Sequence, residues 1–496
     1  MRKSLILLAL AGLLASATAA PPVFAQARTD VNIAMQLEPP SLDPTTGGAA
    51  AAIRSVTYGN IFEGLTKIDR DGAVQPLLAK SWDISDDGLT YTFHLQEGVK
   101  FQDGQALTAD DVKYSLDTAR GEASVNAQKQ LFAKIASVDV VDPATVKVTL
   151  SGPQGEFLYN MGWGDAVIVA ERNAASNGTN PVGTGPYKLG EWVKGDHLTL
   201  VANPDYWGAK PPITDANIKF ISDPAAAVAS ILAGDVDLFG GFPAPEALEQ
   251  IKADDRFQVV VGSSQGETVL AMNNGKAPLD NIKVREAIAH ALDRKAIIDG
   301  AQFGYGTPIG SFFPPGDPAY IDLTSISNYD PEKSKALLAE AGVGDITLSL
   351  KLPPASYARA GGPVIQQELA AVGIKVDITN VEWADWLSNV FTNKDYDLTI
   401  ISHVEPNDFG NFGKEGYYFN YTNPKFAELM TELGNTTDTA KQTEIKQEIQ
   451  KLLANDFAAG FLFEFPNITV ANKSLTGFWE NSPLPASPVA ELKWTE

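Results

Sequence analysis

The segment Gly262-Ser263-Ser264-Gln265-Gly266 fits the G-x-S-x-G pattern that presents a serine hydroxyl for nucleophilic attack. That chemistry needs a strand before the serine and a helix after it, so that Oγ sits strained at the helix start. Here Glu267 to Met272 reads as another strand, so the required context is absent. A triad would also need a histidine and an acid downstream, which leaves only His290 and His403. A secreted serine hydrolase using Gly262, Ser264 and Gly266 therefore stands as an alternative resting on one motif.

The four histidines, His94, His197, His290 and His403, include no pair at a metal-binding spacing such as H-x-x-x-H. Cysteine is absent, which removes disulfides, thiol nucleophiles and thiolate zinc sites together. No P-loop, dinucleotide fingerprint or basic-aromatic stripe occurs, so no catalytic residue, metal or cofactor is expected. His94 and His197 fall on strand patterns and His290 within a helix, where structural roles are expected. His403 differs. It belongs to Ser402-His403-Val404-Glu405-Pro406-Asn407-Asp408, directly after the apolar strand Tyr396 to Ile401. Polar groups just past a strand's carboxyl end are placed as binding residues often are in α/β sheets. Trp383 and Trp386 precede that strand, and Tyr417, Tyr418, Phe419 and Tyr421 follow the loop. Aromatics around a few polar groups describe a small-molecule pocket, and they describe a core equally well.

Strand-like and helix-like segments alternate nearly throughout, which argues for mixed α/β lobes. Thr90 to Leu95 alternates as a strand, and a helix cap follows at Thr108 with Asp110 and Asp111 in the first turn. Val138 to Leu150 reads as a hairpin turning at Asp142-Pro143-Ala144. Helices are expected over Val284 to Ile298, over Pro331 to Ala341 with Gly342 as C-cap, and from about Pro424 to Leu453 with a break near Gly434-Asn435. A boundary is expected at Gly262 to Gly266, between the strands Phe257 to Val261 and Thr268 to Met272. The Pro-rich end, with Pro483, Pro485 and Pro488, reads as a tail that packs back.

Arg2 and Lys3, an apolar run from Leu5 to Leu14 and Ala25-Gln26-Ala27 read as a secretory signal, residues 1–27, cleaved after Ala25 or Ala27. That run is shorter than the roughly 20 apolar residues a bilayer span needs. Without a cysteine to carry a lipid anchor, the exported chain is expected to diffuse freely as a monomer in the periplasm. The formal charge is −23, and −25 once Arg2 and Lys3 are removed, which disfavours nucleic acid and anionic membrane surfaces as partners. About 470 mature residues exceed a single hydrophobic core, so two or more lobes are expected.

Several blocks now fall into order. Leu77-Leu78-Ala79-Lys80-Ser81-Trp82 through Asp87 to Phe93, then Gly98 to Gly104 and Leu107 to Val112, resemble the signature of the peptide/nickel/opine class of extracellular solute-binding proteins, family 5. Pro181 to Tyr187, Asn203-Pro204-Asp205-Tyr206-Trp207, Val284 to Ile288, and Asp330-Pro331-Glu332 with Ala341-Gly342 resemble further blocks of that family in the same order. Gln96 stands where the family usually has a basic residue. The resemblance implies an α/β flytrap of the periplasmic-binding-protein type, with an extra subdomain in the first lobe. By that analogy residues 28–264 plus 469–496 form lobe I, with the signature subdomain at about 70–180, and 265–468 form lobe II. Gly262 to Gly266 becomes hinge, because glycines absorb the backbone change of closure.

The implied function is capture of a small polar solute (a peptide, an opine or a related amino-acid or sugar conjugate) for the membrane permease of an ABC importer. A chemoreceptor ligand-presenting role shares the fold and stands beside it. In peptide-binding relatives an aspartate after the strand matching Tyr396 to Ile401 pairs with the peptide ammonium, and Ser402 occupies that position here. A neutral serine cannot supply the ion pair, which turns the expectation away from ordinary peptides. The expected ligand-binding residues are Trp163, Asp165, Trp383, Trp386, Ser402, His403, Glu405, Asp408, Tyr417 and Tyr418.

Overall fold

The computed structural model describes residues 28–47, 50–404, 407–436 and 438–495. The expected signal segment, 1–27, and the expected ligand residue Glu405 with its neighbour Pro406 lie outside the described residues.

The chain is organised on one mixed sheet that two long strands carry from end to end. Phe257–Met272 and Ala459–Asn472 pair antiparallel along most of their lengths. On one side of their midpoint, Leu238–Gly240 joins Ala459–Asn472, and Asp30–Met35, Asp215–Phe220, His197–Ala202 and Tyr187–Val193 follow outward. On the other side, Leu398–His403 joins Phe257–Met272, followed by Ile346–Leu352 and Ile374–Asn380. The α/β architecture is therefore two half-sheets bridged by two shared strands.

The bridge is irregular at its centre. Pairing runs from Phe257 to Gly262, skips, and resumes at Gly266. The sequence boundary at Gly262 to Gly266 thus falls inside one continuous strand of 16 residues, where two separate strands were expected. Gly262 is required there by close approach, since a Cβ would stand 1.9 Å from the Glu480 carbonyl oxygen. Ser264 fills the skip: its hydroxyl donates to the Phe465 carbonyl and accepts from Gly266 N–H at 2.9 Å. No helix follows it, so the strained elbow of a hydrolase nucleophile is not formed.

Each half-sheet is covered on both faces, and strand alternation decides which side chain goes where. Leu270, Met272, Leu398 and Ile400 pack under the helices Ile282–Ala291, Arg294–Gln302 and Ser356–Ala371. Val269, Ala271 and Ile401 point to the opposite face, into an aromatic cluster with Phe312, Trp386, Tyr396 and Tyr418 beside the helix Thr439–Asn455. The helix expected over Val284 to Ile298 is two helices, because Asp293 caps a new start by accepting from Lys295 and Ala296 N–H. Gly342 closes Pro331–Ala341 in the left-handed conformation, and the Pro424-to-Leu453 helix breaks between Asn435 and Thr439 as its glycine and asparagine predict.

The signature segment builds its own four-stranded sheet, Ala79–Ile84, Thr90–Leu95, Thr145–Leu150 and Ile135–Asp142, packed on the helix Ala109–Arg120. Two of the sequence blocks are explained by one buried carboxylate. Glu63 accepts from Thr184 Oγ1 at 2.8 Å, Tyr206 Oη at 2.8 Å and Trp207 Nε1 at 2.9 Å. These donors offset a desolvation that pushes the Glu63 pKa up.

Candidate functional site

Strand register places three chemically active side chains in one row. Glu267 lies opposite His403 on one neighbouring strand and opposite Glu464 on the other. The row crowns the aromatic cluster of the second half-sheet. His403 is held at both ring nitrogens, Nε2 by the Tyr418 hydroxyl at 2.9 Å and Nδ1 by Asp408 at 3.3 Å. Its ring lies nearly parallel to Tyr418 and takes an edge contact from Phe312 with centroids 5.2 Å apart. Burial raises the Glu267 pKa well above the carboxylate range, and the Asp408 charge adds to it. Glu464 is also pushed up by burial, to about 7, although it accepts from Ser264 N–H at 3.1 Å.

The aromatics expected as walls divide between two roles. Trp386 and Tyr418 are core residues: Trp386 donates to Thr399 Oγ1 at 3.0 Å, and Tyr418 is sealed from solvent beneath His403. They fix the floor on which His403 rests. Trp383 is half exposed and stacked on Trp386 with centroids 5.0 Å apart. Tyr417 is part-buried between Phe391, Tyr418 and Phe419. Ser402 points to the other face of the sheet. Its backbone N–H reaches the Tyr357 hydroxyl at 2.9 Å, and its own Oγ is buried with no hydrogen-bond partner.

Across from the row, the first half supplies Trp163, Tyr159, Asn160 and Glu156, which with Asn407 and Asp408 line an open cavity of about 520 Å³. Trp163 stacks on Tyr159. Asp165, expected beside Trp163 as a ligand contact, turns inward instead and forms a fully buried ion pair with Arg54. The Arg54 guanidinium lies 5.1 Å from the Trp163 ring centroid, so the pair supports the tryptophan from behind. Burial pushes the Asp165 pKa up despite the arginine. A second, more apolar cavity of about 340 Å³ lies on the other flank of the same loop, lined by Gln36, Leu37, Gln265, Val404, Phe465 and Trp479. Val404 thus lines one cavity, and Asn407 and Asp408 line the other.

The structure brings Trp163 and Asp408 to the larger cavity, sets His403 directly behind Asp408, and leaves Asp165, Trp386 and Tyr418 buried. Sequence reasoning missed Glu267, Glu464, Gln36, Gln265 and Glu156. Glu267 carried a signal: an acid beginning the apolar run Thr268-Val269-Leu270-Ala271-Met272.

Residues 73–455 match the profile of the bacterial extracellular solute-binding proteins, family 5. The glutathione-binding protein GsiB of Salmonella typhi is 30% identical over 505 residues, covering 94% of each chain. Among solved structures, the periplasmic binding protein AgaA of A. tumefaciens R10, in complex with agropinic acid, superposes with a TM-score of 0.81. It is 27% identical, and the match covers 94% of this chain and 99% of AgaA. The oligopeptide-binding protein AppA of Bacillus subtilis, in complex with a nonapeptide, shares the fold at a TM-score of 0.82 and 23% identity, over 95% of this chain and 100% of AppA.

Proposed function

This chain belongs to the bacterial extracellular solute-binding proteins of family 5, the substrate-binding components of ABC importers, and from that premise we propose that its solute is a small polar amino-acid conjugate. The observation that carries this reading is the facing of Trp163 and Tyr159 by Asp408 across a cavity of about 520 Å³, with His403 3.3 Å behind Asp408. An aromatic wall supplies area while a few fixed polar groups set orientation. His403 can donate or accept according to its tautomer, and Asp408 offers an anion, which suits hydroxyl, amine and carboxylate groups on one small molecule. Ser402 carries no charge and its hydroxyl faces away from this row, which favours modified or side-chain-linked conjugates over unmodified di- and tripeptides. The similarity to a glutathione-binding protein and to a protein in complex with agropinic acid supports the same class.

No reaction is assigned. The Ser264 hydroxyl is occupied in bridging the two long strands, donating to the Phe465 carbonyl and accepting from Gly266 N–H. Closing of the two lobes about Gly262–Gly266 delivers the loaded form to the permease, and the mature chain acts as a periplasmic monomer after loss of residues 1–25 or 1–27. Thermal-shift screening and calorimetry on protein from the native periplasm test the ligand class, using glutathione, agropinic acid and trialanine. Stabilisation by either conjugate well beyond trialanine is expected. Tight binding of trialanine with neither conjugate bound overturns the reading.

A further inference from the structure

The two long strands do not pass between the halves unsupported. After Ala459–Asn472 ends, the chain turns back, and residues 477–487 lie across both strands where their pairing skips. Gly262 and Asn467 are the last partners before that skip. Asn481 Oδ1 accepts from Ser263 N–H at 2.9 Å and from Ser263 Oγ at 3.1 Å, and Ser482 N–H donates to the Ser263 carbonyl at 2.9 Å. On the second strand, Asn467 Nδ2 donates to the Glu480 carbonyl at 2.8 Å. Ser263 is therefore held at its amide, its carbonyl and its hydroxyl by a segment that belongs to neither strand.

This strap is anchored on the first half at both ends. At its start, the Gly477 carbonyl accepts from Arg70 at 3.2 Å, and Arg70 also pairs with Glu491, which accepts from Trp479 Nε1 at 3.0 Å. At its finish, the Ser487 carbonyl accepts from Asn60 Nδ2 at 2.9 Å, and Val489 N–H donates to Asn60 Oδ1 at 2.9 Å. Between the ends, Trp479 and Leu484 are buried with Tyr58, Ile68 and Trp163, so the strap shares its footing with the tryptophan of the larger cavity. A segment so anchored stays with the first half when the lobes part. It fixes that end of the pivot and confines the backbone change of closure to the short stretch beyond Ser263.

We propose that this strap sets how far the lobes open, and that Asn481 is a positioning residue for solute affinity. The proposal rests on the reading that the lobes close about Gly262 to Gly266. Asn481 is exposed, and neither it nor Ser263 lines the larger cavity or the apolar one. Its effect runs through the open state. A pivot kept short leaves fewer open arrangements to be given up on closing, which lowers the cost of capture.

The chain has no cysteine, so two introduced ones carry nitroxide labels selectively. Glu97→Cys in the first half and Lys295→Cys in the second stand where the native side chains are 86% and 81% exposed, and electron–electron double resonance reads the distance between them. Without ligand, Asn481→Ala is expected to broaden that distance distribution about twofold, because the pivot gains arrangements. Asn481→Asp keeps an accepting oxygen for Ser263 and is expected to restore the wild-type width. With glutathione bound, wild type and both variants are expected to reach one closed distance. Calorimetry is expected to show about threefold weaker glutathione binding in Asn481→Ala alone, the loss that one modest hydrogen bond predicts. Equal widths in wild type and Asn481→Ala overturn the strap's role, and so does a broadening in Asn481→Asp as large as in Asn481→Ala. A wild-type distance that is the same with glutathione bound and absent overturns the pivot reading, and the strap with it. Where glutathione does not bind, the conjugate reading falls by itself, and the ligand-free widths still decide the strap.

Discussion

Among single residues, legibility divided by what each side chain had to satisfy. His403 was readable because it follows an apolar strand and opens a polar loop, a pattern that survives without any knowledge of partners. Asp165 was not, since its destination is set by Arg54, more than a hundred positions earlier. Glu464 and Glu368 were equally silent, and both carry a pH signature. Burial pushes Glu368 from 4.5 up to about 8, with only Asp293 N–H donating to it at 3.2 Å, and Glu464 up to about 7. The folded chain therefore keeps these protons at pH values where the unfolded chain has released them. The stability linked to them is complete below about pH 4.5 and is lost as pH rises to between 7 and 8. We expect the melting temperature of the ligand-free protein to fall across that window. In Glu368→Gln and Glu464→Gln the fall should flatten, as read by scanning fluorimetry from pH 4.5 to 9. A decline equally steep in both variants would assign it elsewhere.

At the scale of the element, periodicity located the strands Thr90–Leu95 and Thr145–Leu150 and the helices Pro331–Ala341, Pro424–Asn435 and Thr439–Asn455, and tertiary pairing decided where the reading went astray. Nothing local distinguishes a strand that ends at Gly262 from one that skips and continues; the continuation is imposed by Phe465 and by the Ser264 bridge. The tryptophan pair shows the same limit. Trp383 and Trp386 sit three positions apart on one helical turn, yet one is 48% exposed and the other 3%. The burial of Trp386 follows from Thr399 and Tyr418, which the sequence places on other elements. Truncating a buried tryptophan costs about 3–5 kcal/mol, whereas Trp383 loses mainly one stacked face, about 0.5–1.5 kcal/mol. Trp386→Ala is thus expected to lower the urea midpoint severely, and Trp383→Ala only slightly. Equal losses in the two variants would mean that Trp383 is as firmly embedded as its neighbour.

On the scale of the whole molecule, the two halves meet away from the hinge strands as well. Glu156 accepts from Lys446 at 3.1 Å and from Asn407 at 3.3 Å, and Lys134 donates to the Gly434 carbonyl and, at 3.3 Å, to Asn435. None of this was legible in the sequence, because each contact joins residues 251 to 301 positions apart and none belongs to a motif. The contacts are polar, part-exposed and few, so each contributes about 0–1 kcal/mol. That is a useful size for a latch. Weak contacts bias closure without making it irreversible, and a solute that prefers the closed form supplies the remainder. Neither Lys134 nor Lys446 lines the larger cavity, so removing both leaves the ligand's own contacts in place. The double variant Lys134→Ala, Lys446→Ala should then release solute faster by about three- to tenfold, because roughly 1 kcal/mol of closure is lost and affinity changes are expressed mostly in dissociation. Association should change little. Raising the salt concentration should erase part of the difference between wild type and variant, since the Debye length falls from about 10 Å at 0.1 M to 3 Å at 1 M. Stopped-flow tryptophan fluorescence during displacement of bound solute measures both rates. Unchanged dissociation in the double variant at low salt would mean that these contacts form only after closure is already secured by the ligand.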